Sequence, residues 1–223
     1  MKKLILMVTV CAAALGAIRA EETSGTVEGY PWTTEVHPDW DSVLQSATDF
    51  VIPADTAYII DGEADMTKLN DWIGTFASPW GNINFGNANS ALILDNTTTW
   101  FRNGSALAFV RGYLVKRGAS TLANGPSSAS NFKGDWIVEG GIFKEAGHYW
   151  NDPRNGSKIV VKAGGTFQKS FSCPGGTTEI LLEGTGSEGQ GALVVDTCNG
   201  NGMLPRVTLT GDALITSRFR IDF

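Results

Sequence analysis

The chain has 223 residues and a formal net charge of −6, and 27 of the residues are glycine. This acidity makes it a poor candidate for binding nucleic acid or an anionic membrane surface. About 200 residues can bury a sizeable core, so the length fits one large β domain or two small ones.

The first twenty residues have the layout of a secretory signal peptide. Two lysines precede an almost unbroken apolar run over 4–15, and Ala17 and Ala20 stand at the minus-three and minus-one positions of a cleavage site. The run is too short for a membrane span, which needs roughly 20 apolar residues. Cleavage would remove three basic residues, which takes the net charge from −6 to −9. We therefore expect an exported protein that is extracellular, periplasmic or at the cell surface.

Residues 21–49 are expected to be a leader that ends in a short helix. The segment before Trp40 has no periodicity and contains Pro31 and Pro38, which is typical of a loose leader. Asp39 or Asp41 can then cap a helix of about two turns. Its apolar face would be Val43, Leu44 and Ala47. Because so short a helix is marginal alone, it should cover the end of something larger.

From residue 50 to residue 223 the pattern is all-β. Short apolar runs are separated by Gly, Asn, Asp and Ser, which favour turns. Two segments interrupt the rhythm: 62–90, with a short helix expected near Thr67–Trp72, and 118–134, which reads as an exposed loop. The runs are 51–52, 58–60, 91–94, 106–110, 113–115, 136–138, 159–161, 180–182, 192–195, 207–209 and 213–215.

One unit of this pattern occurs more than once. "DWIVEGGIFKEAG" (135–147) aligns with "SKIVVKAGGTFQKSF" (157–171), so that Gly141 falls on Gly165 and Phe143 on Phe167 at a spacing of 24. An irregular period in the low twenties with two short strands predicts the coil of a parallel β-solenoid, whose rungs stack at about 4.8 Å. Comparable runs begin at Ile137, Ile159, Ile180 and Val207, in steps of 22, 21 and 27.

An antiparallel β-sandwich is the alternative fold. It would also produce short strands, joined by tight hairpins, and Asn-Gly is the strongest sequence signal for such a hairpin. The Asn-Gly pairs begin at Asn103, Asn124 and Asn155. The recurrence of the strand-Gly-Gly-strand unit favours the solenoid.

Two cysteines remain after cleavage, Cys173 and Cys198. Each follows the second strand of its unit, eight residues after Gly165 and seven after Gly191. Stacked positions in neighbouring rungs are about 5 Å apart, which suits a disulfide. An even number of cysteines in an exported chain also permits this bridge, with two free thiols as the alternative.

The stretch "WDSVLQSATDFVIPADTAYIID" (40–61) resembles the start of pectin-lyase-like right-handed β-helix proteins. The glycine-rich units over 136–170 are similar to coils of autotransporter-passenger-like and other secreted bacterial β-helix proteins. The resemblance implies a right-handed parallel β-helix with a short N-terminal capping helix. It covers roughly 40–60 and 135–215, rests on composition and rhythm, and does not extend to 62–90.

The resemblance also brings an enzymatic alternative, since pectin-lyase-like folds often host polysaccharide lyases and hydrolases. Such enzymes need acids, or acids with Lys and Arg, on one face of adjacent rungs. The basic candidates have no carboxylate partner that recurs in register, and His148 has no nameable nucleophile or acid, so no catalytic residue is assigned. The basic candidates are Lys116, Arg117, Arg154, Arg218 and Arg220.

Aromatic and oxygen-rich segments supply the binding candidates. Trp72, Trp80 and Trp150 fall in loop-like segments, where exposed rings can stack on sugars. "DNTTTWFRNG" (95–104) and "WNDPRNGS" (150–157) are rich in oxygen ligands for calcium, but neither has the spacing of a known calcium loop. Neither cofactor nor metal is therefore assigned.

The sequence thus favours an exported, adhesin-like surface or extracellular scaffold without catalytic activity, with polysaccharide or cell-surface glycan as its candidate partner. The alternatives are a polysaccharide lyase or glycoside hydrolase on the same fold, or the N-terminal part of a longer autotransporter-like surface protein. A screen against polysaccharides separates the first two.

Overall fold

The computed structural model describes residues 21–23, 29–44, 49–75, 82–99, 111–124, 134–145, 158–169, 179–196 and 206–217. The strands of this part are β1 (Glu21–Thr23), β2 (Thr34–His37), β3 (Asp49–Ile52), β4 (Thr56–Asp61), β5 (Asn82–Phe85), β6 (Ala91–Asp95), β7 (Tyr113–Arg117), β8 (Thr121–Asn124), β9 (Asp135–Glu145), β10 (Lys158–Lys169), β11 (Glu179–Gly184), β12 (Leu193–Val195), β13 (Val207–Ala213) and β14 (Ile215–Ser217). The α-helices are α1 (Trp40–Val43) and α2 (Gly62–Thr75), and a 3₁₀ turn covers Ser187–Gly189. The expected signal peptide lies outside the described residues.

A long parallel sheet dominates the fold. Its strand order is β1-β2-β4-β6-β7-β9-β10-β11-β13, with β8, β12 and β14 paired beside this path and β3-β5 forming a separate pair. Among the described strands only β1 and β2 pair antiparallel. The prediction of a mostly parallel β architecture is therefore confirmed, and the antiparallel sandwich is wrong for this part of the chain.

The register of β9 and β10 shows how the repeat is built. Gly140 and Gly141 pair with Gly164 and Gly165, and Phe143 pairs with Phe167, as the spacing of 24 predicts. Before the glycines the spacing is 23, because Ile159 pairs with Trp136 and Ile137 pairs with Val160. The expected pairing of Ile137 with Ile159 is thus off by one residue. The cause is that the position of β9 that matches Ile159 is Trp136, one residue before Ile137. A separate register shift between Val161 and Gly164, where β10 carries one residue more than β9, takes the spacing from 23 to 24.

The next two expected steps are correct. Ile159 pairs with Ile180, and Ile180 pairs with Val207.

The glycine corners are required by close backbone approach. A Cβ added at Gly165 would lie 2.2 Å from the carbonyl oxygen of Val138. Gly141 has a φ of +63°, and an added Cβ there would lie 2.4 Å from the carbonyl oxygen of Ser120. Neighbouring rungs therefore touch at these corners through backbone, which only glycine permits.

The core lies along the inner face of the sheet. Side chains alternate between the two faces of a strand. The inward-facing side chains of each strand contact those of the neighbouring strands, so that they form a continuous column. Phe143 stacks on Trp136 and on Phe167, with ring centroids 4.7 and 5.9 Å apart. The expected alignment of Phe143 with Phe167 is confirmed, and the two rings stack. An aromatic pair of this kind contributes about 1 kcal/mol beyond the apolar area it buries.

The two helices cover the N-terminal end of this core. Trp40 of α1 is 1% exposed, and its indole Nε1 donates to the carbonyl oxygen of Ile59 at 3.3 Å. In α2, Met66, Leu69 and Ile73 are completely buried. A capping helix was expected at 40–47, but α1 is a single turn and most of the cover comes from the fourteen residues of α2.

Part of the expected leader belongs to the sheet. β2 pairs parallel with β4, Thr34 opposite Thr56, although 21–40 shows no alternation of apolar residues. β8 likewise lies inside the expected exposed loop 118–134 and pairs with β9. Neither described helix has the length and apolarity that crossing a bilayer requires.

Candidate functional site

The outer face of the main sheet carries a second, smaller apolar cluster. Ile59, Ile93, Val115 and Ile137 belong to it, and each is 5% exposed or less. Trp32, which precedes β2, lies over this cluster and is 1% exposed. The N-terminal segment therefore acts as a cover on the outer face of the first rungs.

Three charged side chains meet at the edge of this cover. Arg117, at the end of β7, directs Nη1 and Nη2 to the two carboxylate oxygens of Glu35, both at 2.8 Å. Its Nε donates to Oε2 of Glu139 at 2.7 Å. The three side chains are 26%, 17% and 15% exposed. A guanidinium that binds one carboxylate through two parallel hydrogen bonds forms one of the stronger ion pairs in proteins, and here a second carboxylate binds the same guanidinium.

The electrostatics of this Arg117 cluster favour the charged forms. The hydrogen bond to Arg117 lowers the pKa of Glu35 despite the opposing effect of burial. The hydrogen bond to Glu35 raises the pKa of Arg117 above its ordinary value. Trp32 adds a neutral hydrogen bond, since its Nε1 donates to Oε1 of Glu35 at 3.2 Å. Burial raises the pKa of Tyr30, and Glu139 adds to this effect.

Lys116 lies on the opposite, inner face of β7. It pairs with Leu94 on one side and with Val138 on the other, and it is fully buried. Its Nζ donates to the carbonyl oxygens of Arg117, Gly118 and Gly140 at 2.6, 2.9 and 3.4 Å. Burial lowers the pKa of Lys116 to about 8, and the nearby charge of Asp95 opposes the change. The ammonium group of Lys116 therefore provides hydrogen-bond donors to backbone carbonyl oxygens at the turn that follows β7.

The candidate calcium segment 95–104 is described as far as Thr99. Asn96 Oδ1 accepts from the amide of Ala119 at 3.1 Å, which is a structural hydrogen bond between rungs. Thr98 and Thr99 bind Glu63 of α2 through their amides and hydroxyls. Burial opposes ionisation of Glu63, but these hydrogen bonds outweigh it and lower the pKa of Glu63 to about 2. The segment therefore anchors α2 to the sheet.

No group of three or more His, Cys, Asp or Glu side chains in the described residues is placed to hold a metal ion. The other candidate calcium segment, 150–157, lies wholly outside those residues, and the description resumes at Lys158.

The expected placement of Trp72 in a loop is corrected by the structure. Trp72 lies in α2 and is 6% exposed, so its ring packs in the core and is not presented to solvent. The residue follows the buried positions of α2 at helical spacing, which is the signal that identifies it as core. Trp80 and Trp150 lie outside the described residues, so their contact with glycan stays a prediction.

Cys173 and Cys198 also lie outside the described residues. The ladder that leads toward them is described, and its last pair is Lys169 with Val195. Cys173 follows Lys169 by four residues and Cys198 follows Val195 by three.

The acidic partners of Arg117 are what sequence reasoning missed. Glu139 follows Arg117 by 22 residues, which is one coil, so this partner was readable from the repeat. Glu35 is 82 residues away in the leader, and nothing in the sequence pattern connects the two.

Comparison with known proteins finds no matching family model, no matching curated protein and no matching solved structure.

Proposed function

We propose that the chain is an exported, non-catalytic β-solenoid that serves as an adhesin-like scaffold at the cell surface or outside the cell. The observation that carries this proposal is the Arg117 cluster. In this cluster Arg117 donates to Glu35 and to Glu139, with donor–acceptor distances of 2.7 to 2.8 Å. A catalytic acid or base must be free to reach a proton of the substrate, whereas these groups bind one another through Arg117. The cluster is therefore better suited to attaching the N-terminal segment to the sheet.

The proposal includes the way in which the parallel strands are wound. We infer that the rungs wind as a right-handed parallel β-helix. The support is the succession of parallel pairs from β4 to β13. The paired positions are 34 residues apart between β4 and β6, where α2 intervenes, and 21 to 29 residues apart from β6 onward, for example Ile159 with Ile180 and Gly184 with Ala213. Parallel crossovers in proteins are overwhelmingly right-handed.

A rigid sheet with glycine corners suits a protein that displays its loops. Loops held by a stable scaffold are where binding residues concentrate. The partner class that we propose is a polysaccharide or a cell-surface glycan, bound by the aromatic residues between rungs, with Trp80 and Trp150 as the candidates.

The test uses the mature chain from Glu21 onward and a panel of plant and host polysaccharides. We expect retention on one or more immobilised glycans and no release of oligosaccharide, measured by reducing ends and by the ultraviolet absorbance of unsaturated products. Released product would overturn the scaffold proposal in favour of the lyase or hydrolase. Loss of that release in Glu139→Gln would then place the reaction at the Arg117 cluster. Trp80→Ala and Trp150→Ala should each weaken retention, with Trp72→Phe as the matched control in the core.

A further inference from the structure

Three aromatic side chains form a stack on the outer face of the sheet, which we call the aromatic patch: Tyr30, Trp32 and Tyr113. Trp32 belongs to the outer apolar cluster and is 1% exposed. The ring of Tyr30 stacks on Trp32, with centroids 4.5 Å apart and planes inclined by 28°. The ring of Tyr113, on β7, is tilted against Trp32 at a centroid distance of 5.7 Å. Because both tyrosines are only partly buried, they are the solvent-side members of the stack.

Tyr30 presents part of its ring to solvent from a fixed base. One face of the ring lies on Trp32, so the opposite face and the edge provide its exposed surface. The space beside it is open, since Gly29 has a φ of +88° and a Cβ added there would meet no atom within 4 Å. An aromatic ring held on one face and accessible on the other is suited to stacking on the flat apolar face of a ligand.

The charges around the aromatic patch are balanced among themselves. The described bases near it each lie beside a carboxylate: Arg117 beside Glu35 and Glu139, Lys158 beside Glu179, and Arg111 beside Asp135. An acidic polysaccharide would need a base that is not already neutralised, and it would also be repelled by a chain with a net charge of −6. The surroundings of the patch therefore favour an uncharged ligand.

The rim of the aromatic patch also offers a hydrogen-bond acceptor. Asp135 is the ladder partner of Tyr113 and is only partly buried. Its Oδ1 accepts from the amide of Lys158 at 2.8 Å. A carboxylate has acceptor capacity for several hydrogen bonds, so Asp135 can accept from a ligand hydroxyl as well.

We propose that Tyr30 and Tyr113 form a binding site for a neutral polysaccharide, whose sugar rings stack on the two tyrosines through their apolar faces. A sugar ring has C–H groups on its faces and hydroxyls at its edges, which matches aromatic rings with a polar rim. The inference rests on the glycan partner of the proposed function. It places that partner on the outer face of the sheet, in addition to the candidates Trp80 and Trp150.

The first experiment is affinity electrophoresis of the mature chain in gels that contain one polysaccharide each. The neutral probes are hydroxyethyl cellulose, xyloglucan and galactomannan, and the acidic probes are polygalacturonate and alginate. We expect retardation by at least one neutral polysaccharide and by neither acidic one. Tyr30→Ala should weaken binding about fivefold because a stacked ring is lost, whereas Tyr30→Phe keeps the ring and should bind within about twofold of the wild type.

Val51→Ala is the matched control for a change at the surface. Val51 is 57% exposed on β3, which belongs to the separate β3-β5 pair, and its replacement should leave binding unchanged. Equal binding by the wild type and Tyr30→Ala would overturn this site but leave the glycan partner in place, and binding to the acidic probes alone would do the same. A wild type that binds none of the five would remove the glycan partner itself, and this site with it.

Hydroxyl-radical footprinting locates the site even where a variant folds poorly. In the wild type, the bound neutral polysaccharide should reduce oxidation of Tyr30 and Tyr113, measured by mass spectrometry. Tyr58 is the internal control, since it packs against the inner core beside Trp40 and its oxidation should not change. Protection confined to Trp80 or Trp150 would place the polysaccharide there and overturn the proposal.

Discussion

At the residue scale, Lys116 shows how a coil corner uses a buried charge. It occupies an inner-column position between Leu94 and Val138, where an apolar side chain is expected from the alternation. Its four-carbon stem fills that column, while its ammonium group meets three carbonyl oxygens. In the sequence, Lys116 and Arg117 are two adjacent basic candidates with nothing to distinguish them. The alternation of faces separates them, so one lies in the core and the other in an ion pair.

The depressed pKa of Lys116 predicts how stability depends on pH. Its pKa falls from 10.5 to about 8 on folding, so between these values the unfolded chain binds more protons than the folded chain. The free energy of unfolding should therefore rise as the pH increases from about 8 toward 10.5, by up to roughly 3 kcal/mol.

Urea unfolding at pH 7.5, 9 and 10 measures this dependence. The difference between the wild type and Lys116→Met isolates the lysine from tyrosines and other groups that titrate in the same range. Parallel pH profiles for the two proteins would contradict the prediction. A rise confined to the wild type would support it.

At the element scale, Arg117 attaches the N-terminal cover to the body of the sheet. It joins β2, through Glu35, to β7 and β9. Arg117→Lys keeps the charge but loses the planar fork that binds Glu35 with two hydrogen bonds. We expect a loss of about 2 kcal/mol in the free energy of unfolding, or roughly 4–8 °C in Tm.

Thermal and urea unfolding check this value, with Arg206→Lys as the control. Arg206 is 78% exposed and makes a single ion pair among the described residues, so its replacement should change stability by less than about 0.5 kcal/mol. Equal losses for the two variants would show that Arg117 is not special to the attachment of the cover.

The elements also show what the sequence could predict. The pairing of Gly141 with Gly165 was readable because backbone contact at the corner permits only glycine there. The pairing of Ile137 was misjudged by one residue, since the apolar run of β9 begins at Trp136 and the apolar pattern does not show which of the two residues matches Ile159. β2 was missed altogether, because it is held by its ladder and by Glu35, and neither produces an apolar period.

At the scale of the whole molecule, the parallel ladder bears on the cysteines. Phe167 to Lys169 pair with Leu193 to Val195, an offset of 26 residues, while Cys173 and Cys198 differ by 25. We therefore predict a disulfide between Cys173 and Cys198, because positions nearly in register in adjacent rungs fall within the distance that a bridge spans.

Mass spectrometry of the chain recovered from an oxidising, secretory expression host tests the bridge. The unreduced protein should be lighter than the reduced protein by two hydrogen atoms and should resist alkylation before reduction. The double variant with Cys173→Ser and Cys198→Ser is the control and should show no change on reduction. Two alkylated thiols in the unreduced chain would contradict the prediction. The same spectra give the N-terminus, for which we predict Glu21.

The contact between Glu35 and Arg117 has a consequence for the order of folding. The two residues are 82 positions apart, and a chain emerges from synthesis, or from an export channel, with its N-terminus first. The carboxylate of Glu35 therefore cannot pair with the guanidinium of Arg117 until β4, β6 and β7 have all emerged. A truncated chain that stops before Arg117 cannot close the cover and leaves the outer face of its first rungs in water. The first unit with a closed cover must then reach from the leader to β7, so this parallel sheet cannot be lengthened or shortened freely from its N-terminal end as a plain stack of strands could.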